Sequence, residues 1–174
     1  KTSAQVKRIV ELGVEKVALS SAAIENPDVI SESSQMVGNQ SVVVVLDVKK
    51  NTFGGKYEVR TYNGKTKTGK FPLELSMQME KLGAGELVIN SIDNDGVMKG
   101  YDLSLIASLR ESINIPLTIL GGAGSLEDIG ELISKYNIIG AAAGSLFVFK
   151  GKYRAVLINY PNRAEKDKLI SDNF

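Results

Sequence analysis

Residues 86–102 read Glu-Leu-Val-Ile-Asn-Ser-Ile-Asp-Asn-Asp-Gly-Val-Met-Lys-Gly-Tyr-Asp, and this stretch decides the fold. The apolar run at 87–89 predicts a short buried strand, and the polar residues after it predict a loop that leads into a helix at Tyr101-Asp102. In folds that alternate strands with helices, active sites lie on the loops that follow the carboxyl ends of the strands. We therefore interpret the loop that carries Asp93 and Asp95 as one wall of an active site.

The composition narrows the classes of function. The chain has 174 residues, of which 43% are hydrophobic, and this favours a single domain with a sizeable core. A formal net charge of +1 gives no electrostatic argument for binding nucleic acid or a membrane surface. Cysteine and histidine are both absent from the sequence, which excludes thiol catalysis, thiolate zinc sites and imidazole acid–base chemistry. We expect no metal and no cofactor, and the lack of cysteine and of a membrane-length apolar run favours the cytoplasm.

Short apolar runs separated by helical patterns predict the order of the elements. Strands are expected at residues 16–19, 42–46, 87–89, 117–120 and 138–143. Helices are expected from Thr2 or Ser3 to about residue 13, and at residues 27–37, 72–82, 102–112, 125–133 and 163–170. The alternating residues 57–62 before Asn63-Gly64 predict a small β-hairpin insertion. This order predicts an α/β fold with about five parallel strands and right-handed crossovers, and no dinucleotide-binding glycine pattern follows any strand.

Two consecutive strand-to-helix turns favour phosphate binding. Gly121-Gly122-Ala123-Gly124-Ser125 brings bare backbone to the start of a helix, and Gly144-Ser145 follows the next strand. Free N–H groups at a helix N-terminus attract anions, and the loops after the last two strands of a barrel often bind phosphate. The alternative is a tight turn with a serine cap. A weak internal repeat of the same helix–strand pattern makes Ser20-Ser21 the matching position for a second phosphate.

The aspartates form the second group of candidates. Asp47 ends the most apolar strand, where a carboxylate is positioned for proton transfer; the alternative is an ion pair with Lys49 or a turn cap. Asp93 and Asp95 have the alternative of ordinary turn residues, because Asn and Gly neighbours already favour a turn. Lys16 and Glu86 each begin a strand and, from the residues alone, predict a surface ion pair or separate charges on the stability face of the fold.

Taken together, several of these pieces resemble the cyclase subunit of imidazole glycerol phosphate synthase, a (βα)8 TIM barrel. The most specific pieces are Gly-Val-Glu-Lys-Val-Ala-Leu-Ser-Ser-Ala-Ala-Ile-Glu-Asn-Pro at 13–27, Val-Val-Val-Leu-Asp-Val-Lys at 43–49, Ser-Ile-Asp-Asn-Asp-Gly at 91–96, Gly-Tyr-Asp at 100–102 and Gly-Gly-Ala-Gly at 121–124. The resemblance implies two phosphate sites for a bis-phosphorylated substrate and a pair of Asp residues that act as general acid and base. It also implies a glutaminase subunit that forms a heterodimer with the barrel and delivers ammonia through its bottom face.

The resemblance also implies roles for single residues. Asp47 is the catalytic aspartate and Asp95 a supporting one. The implied substrate- and phosphate-binding residues are Ser20, Ser21, Asn90, Gly121, Gly122, Gly144 and Ser145. The implied ammonia gate is Lys16 with Glu86, which replaces the surface ion pair as the expectation for these two residues.

Departures from the family leave three hypotheses open. The chain opens at Lys1 in a helical pattern, so we expect residues 1–174 to be a single partial barrel that lacks the first strands and the other catalytic aspartate. Ser20 stands where the family usually has Asn, and residues 147–161 look more like paralogues from surface-sugar amidation systems. The protein is then a cyclase/lyase that makes imidazole glycerol phosphate and aminoimidazole carboxamide ribotide, a barrel that passes ammonia to a sugar amidotransferase, or a non-catalytic partial barrel that self-associates through open sheet edges.

Overall fold

The computed structural model describes residues 1–52 and 54–174. The strands are β1 Val17–Leu19, β2 Val42–Lys50, β3 Tyr57–Thr61, β4 Thr66–Lys67, β5 Glu86–Ser91, β6 Leu117–Leu120, β7 Gly140–Ala142, β8 Phe149–Lys150 and β9 Ala155–Val156. Five of them pair in parallel in the order β1-β2-β5-β6-β7. This confirms the predicted α/β class with five parallel strands. Strand β7 is shorter than the predicted 138–143: Ile138 lies outside it and is 77% exposed.

Helices connect the parallel strands. They are α1 Ser3–Glu11, α2 Ser21–Glu25, α3 Asp28–Val37, α4 Pro72–Lys81, α5 Leu103–Arg110, α6 Leu126–Tyr136, α7 Ser145–Val148 and α8 Arg163–Asn173. Polar side chains begin four of the long ones: Thr2, Ser125 and Asn162 form capping boxes, and the Asp102 carboxylate accepts from the Leu105 N–H. The short helices α2 and α7 and the β8–β9 pair were not predicted, because elements this short carry little periodic signal.

Strand β2 is longer than the predicted 42–46 and changes partner along one edge. Its first residues pair in parallel with β1, and residues 47–50 pair with β3 in antiparallel register. Strand β4 completes the predicted hairpin. The predicted hairpin insertion is therefore confirmed, and it extends the main sheet beyond β2. Its turn needs backbone with positive φ at Tyr62 and Asn63 (53° and 55°) as well as at Gly64.

The core lies around the two central strands. Val42, Val44 and Leu46 of β2 and Leu87 and Ile89 of β5 are fully buried. Helices cover these strands with buried aliphatic side chains, among them Ile30, Met79, Leu105, Ile106, Leu109 and Leu132. Burial of each such side chain contributes about 1.5–3 kcal/mol, so this core holds the central strands and their helices together.

In the described ranges, β1 and β7 are the outer strands of the parallel array, each with a partner on one edge. The predicted self-association through open edges therefore stays a prediction. None of the helices in the described part of the chain combines the length and apolar character needed to cross a membrane.

Candidate active site

Asp47 and Asn90 form the centre of the site. They are register partners on the parallel strands β2 and β5, so their side chains leave the same face of the sheet. The Asn90 Nδ2 atom donates a hydrogen bond of 2.8 Å to Asp47 Oδ1. A carboxylate can only accept, which fixes the orientation of the Asn90 amide. The alternative of a pair between Asp47 and Lys49 is not what the structure has, since the Lys49 Nζ atom lies 4.0 Å from Asp93 Oδ1.

The other end of the Asn90 amide points at the glycine turn. Its Oδ1 atom is buried and has no hydrogen-bond partner within the described residues. That oxygen lies 3.3 Å from the position that a Cβ atom would take on Gly121. An unpaired buried acceptor costs about 1–3 kcal/mol, so a ligand that donates to this oxygen gains that energy on binding.

Asp95 joins the same cavity, and Asp93 does not. A cavity of about 280 Å³ is lined by Asp47, Asn63, Asn90, Ile92 and Asp95. Asp93 instead accepts a 2.8 Å hydrogen bond from the Lys50 N–H and ties its loop to the end of β2. The structure thus brings Asp47, Asn90 and Asp95 together and gives Asp93 the role of a turn residue.

The glycine turn packs directly on the loop that carries the aspartates. Gly121 and Gly122 have φ values of 96° and 118°, which only glycine adopts without strain. A Cβ atom on Gly121 would lie 2.7 Å from the Ser91 carbonyl oxygen, and one on Gly122 would collide with the Gly100 carbonyl oxygen. The Gly100 N–H donates to the Gly122 carbonyl at 2.9 Å. The turn therefore faces the mouth that holds the aspartates.

The last part of the glycine turn, Gly124-Ser125, is a tight turn with a serine cap, which was the alternative to phosphate binding. The Gly124 and Ser125 N–H groups donate to Asp128 Oδ2 at 2.8 and 3.0 Å, and the Asp128 N–H donates back to Ser125 Oγ at 3.3 Å. A carboxylate already occupies the N-terminus of α6. An anion at this turn must therefore use Gly121, Gly122 and the neighbouring loop.

The remaining predicted binding residues lie at the same end of the sheet. Gly144 is exposed and precedes α7, and Ser145 Oγ lies 3.8 Å from the Cβ position of Gly96 in the aspartate loop. Ser20 and Ser21 follow β1 at the opposite edge of the parallel array. The Ser21 hydroxyl accepts a 3.0 Å hydrogen bond from the Tyr62 N–H, so the hairpin turn already uses it.

Lys16 and Glu86 form an ion pair at the other end of the strands. The Lys16 Nζ atom lies 2.6 Å from Glu86 Oε2, and the Thr118 hydroxyl donates to Glu86 Oε1 at 2.7 Å. Burial works to raise the pKa of Glu86, but the hydrogen bonds from Lys16 and Thr118 and the charge of Lys16 together lower it. Both residues line a cavity of about 630 Å³ that also includes Arg110. The pair is therefore partly buried beside a cavity, unlike an ordinary surface pair.

Two features of the site escaped prediction from sequence. Asn63 lines the carboxylate cavity, and Gly64 lies against the Ile92 side chain, with a Cβ position 3.2 Å from Ile92 Cδ1. The Asn63-Gly64 pair predicted the hairpin turn, but it did not predict that this turn would pack against the candidate site. In residues 1–52 and 54–174, no group of three or more Asp, Glu, His or Cys side chains is arranged to hold a metal ion.

A parallel sheet with paired polar side chains and a glycine turn at its carboxyl edge defines a barrel-type α/β protein whose site lies on the strand-to-helix loops. The chain belongs to the family described as "Histidine biosynthesis protein", whose model matches residues 1–154. This family has the (βα)8-barrel fold, which confirms the predicted fold class.

Relatives support the same assignment. A Vibrio vulnificus protein that carries the provisional name imidazole glycerol phosphate synthase subunit hisF3 is 54% identical over 170 residues, which is 98% of this chain and 65% of the relative. A Leptospira interrogans protein, also provisionally named as such a subunit, is 52% identical over 166 residues, 95% of this chain and 65% of its own. The imidazole glycerol phosphate synthase subunit HisF of Petrotoga mobilis is 40% identical over 155 residues, 89% of this chain and 61% of its own.

Proposed function

We propose that the protein is the cyclase/lyase subunit of a glutamine-dependent synthase. It uses ammonia to form imidazole glycerol phosphate and aminoimidazole carboxamide ribotide from a bis-phosphorylated substrate. The family membership and the names of the relatives support this proposal, although the chain spans only 65% of the length of the Vibrio and Leptospira relatives.

Asp47 is the proton-transfer group in this proposal. Its hydrogen bond from Asn90 holds the carboxylate in one orientation, and Asp95 lies in the same 280 Å³ cavity. A positioned carboxylate of this kind contributes about 10²- to 10⁴-fold to the rate by general acid–base catalysis. The Asn90–Asp47 pair, whose Asn90 Oδ1 atom is a buried unpaired acceptor beside the glycine turn, is the single observation that carries the proposal.

The spacing of the strand ends fits a long substrate with a phosphate at each end. Ser20 and Ser21 follow β1, whereas Gly122 and Ser145 follow β6 and β7. Neighbouring strands lie about 4.8 Å apart, so the two anion positions are separated by roughly 14–19 Å measured along the sheet. Asp47 lies between them on β2. Holding both ends of the substrate places its reacting centre at the carboxylate and converts binding into rate.

Ammonia enters from the opposite end. The Lys16–Glu86 pair lies where the strands begin, beside the 630 Å³ cavity. We propose that this face docks a glutaminase subunit and that the ion pair gates ammonia entering the barrel. We also propose that the heterodimer works in the cytoplasm, in keeping with a sequence that has no cysteine.

The test is cyclisation by the intact protein with ammonium supplied directly, which removes the need for the glutaminase. We expect Asp47→Asn to lower turnover by about 10²- to 10⁴-fold. The matched control is Asp93→Asn, whose amide oxygen still accepts from the Lys50 N–H and should preserve most of the activity. Wild-type turnover in Asp47→Asn, with the variant folded, would rule out the proposed role.

Two observations favour a second candidate, in which the barrel passes ammonia to a separate sugar amidotransferase. The Vibrio and Leptospira relatives, at 54% and 52% identity, carry provisional names, and the plainly named Petrotoga subunit is 40% identical. The tail from β8 onwards is largely exposed and continues past the end of the family match at residue 154. In this case Lys16→Met would reduce glutamine-dependent amidation of the sugar, and no cyclisation would occur even with ammonium.

A further inference from the structure

The antiparallel extension of β2 presents a row of charged side chains on one face. Asp47 pairs with Arg60 across the β2–β3 ladder, Lys49 pairs with Glu58, and Arg60 pairs with Lys67 across the β3–β4 ladder. Residues that are directly opposite or two apart in a sheet share a face. These five side chains therefore lie together, with Asp47 nearest the carboxylate cavity.

This face borders a cavity of about 430 Å³ next to the candidate active site. Its charged lining consists of Lys49, Lys50, Arg60 and Lys67 with the single carboxylate of Glu58. Ligand sites for small molecules have volumes of roughly 300–1,000 Å³, so the cavity can hold one. Four cations against one carboxylate make it a site for an anion.

Arg60 is the buried member of the group. The residue is 9% exposed, and its Nη2 atom lies 3.4 Å from Glu58 Oε2. Glu58 also accepts a 3.0 Å hydrogen bond from the Gly69 N–H, so its charge is shared between two donors. The Arg60 Nε–H has no partner among the described residues. A buried guanidinium with an unused N–H is one acceptor short of a satisfied environment, and an anionic oxygen can supply that acceptor.

The neighbouring groups leave the lysines available to a ligand. Asp93 lies 4.0 Å from the Lys49 Nζ atom, a long contact between side chains that are 44% and 41% exposed. The Lys50 Nζ atom lies 5.4 Å from the centre of the Tyr57 ring. An ion pair this exposed contributes little, so a dianion can draw Lys49 away from Asp93.

We propose that this cleft is a phosphate-binding site formed by Arg60, Lys49 and Lys67. A phosphate monoester matches it better than a carboxylate does, because it has more acceptor oxygens for a guanidinium fork and two amines, and it carries up to two charges. The site is separate from the glycine turns, and it does not depend on the cyclase activity. The phosphate belongs either to one end of the active-site substrate or to a separate phosphorylated small molecule.

The test follows the Arg60 Nε–H resonance by NMR while inorganic phosphate is added to the intact protein. We expect this resonance to shift and saturate, and we expect Lys67→Gln to weaken phosphate binding at this site by about tenfold. The matched control is Lys65→Gln, which removes the same charge from the exposed hairpin turn outside the cavity. The proposal is overturned if phosphate shifts only the Gly121 and Gly122 amides, or if the two lysine variants weaken binding equally.

The Arg60→Gln variant gives a second measurement, in which phosphate binding is followed through the Lys49 side-chain resonance. This measurement requires that the rest of the NMR spectrum shows an intact fold. The source of the phosphate follows from steady-state kinetics. A higher KM with unchanged kcat in Lys67→Gln, and not in Lys65→Gln, identifies the phosphate as part of the substrate. Weaker phosphate binding with an unchanged KM identifies a separate ligand, and the titration is informative even if no cyclisation occurs.

Discussion

Gly122 offers the sharpest test of how the site is held together. Its φ of 118° is a conformation that side chains rarely adopt, and a Cβ atom there would collide with the Gly100 carbonyl oxygen. The strained backbone costs about 1–3 kcal/mol. Displacing Gly100 also breaks its hydrogen bond to the Gly122 carbonyl, which adds about 0.5–1.5 kcal/mol. We therefore expect Gly122→Ala to lower the free energy of unfolding by about 1.5–4.5 kcal/mol.

Two other glycines separate these contributions. Gly13 has a φ of 93° but nothing within 4 Å of its Cβ position, so Gly13→Ala carries the backbone cost alone. Gly144 has open space and an ordinary φ of −105°, so Gly144→Ala should be nearly neutral. Urea unfolding of the three variants should rank the loss of stability as Gly122, then Gly13, then Gly144. If Gly122→Ala costs no more than Gly13→Ala, the contact between the glycine turn and the aspartate loop is not rigid, and our account of the site fails.

Two further predictions concern the ends of the fold. The pKa of Glu86 in the folded protein is lowered from its ordinary value of 4.5. Its ionised form therefore stabilises the fold fully above pH 4.5, and this stabilisation is lost as the pH falls through the lower pKa of the folded state. Lys16→Met should raise the Glu86 pKa in an NMR titration and shift acid unfolding to higher pH; an unmoved titration would contradict the pairing. Tyr57 donates to both Asp102 carboxylate oxygens at 2.8 and 2.9 Å, which links the hairpin to the N-terminus of α5. Tyr57→Phe should therefore cost about 1.5–3 kcal/mol in urea unfolding, whereas Tyr153→Phe, 91% exposed, should cost nothing measurable.

Local signals in the sequence were sufficient to predict the central strands and the edge of the sheet at which the candidate site lies. The β-branched run at 42–46 and the apolar run at 87–89 identify central strands without any knowledge of their partners. The turn residues that follow them then place Asp47 and Asp95 at one edge, because parallel strands all end on the same side. The Ser125-Leu-Glu-Asp128 capping box was also readable, and it would have shown that the first N–H groups of α6 are already bonded.

Contacts between segments that are distant in the chain could not be predicted from the sequence. The role of Asn90 came from resemblance, since nothing in its spacing shows that it is the register partner of Asp47. The use of the Ser21 hydroxyl by the Tyr62 N–H depends on where the hairpin docks. Register and docking are set by the packing of whole elements, and a one-residue slip would reverse which side chains share a face.

The position of Asp47 has a physical cause in the way β2 changes partner. Along one edge, β1 pairs with β2 as far as Val44, and β3 takes over at Asp47. Two residues of β2 lie between these pairings, at the point where the chain after β1 turns away into Ser20 and Ser21. Asp47 is the first residue of β2 that pairs with β3, opposite Arg60, and on the other edge β5 supplies Asn90 as its register partner. Side chains leave a sheet perpendicular to its ladder, so pairing on both edges holds the Asp47 backbone in place while the carboxylate on the face of the sheet stays open to the cavity that it lines with Asp95.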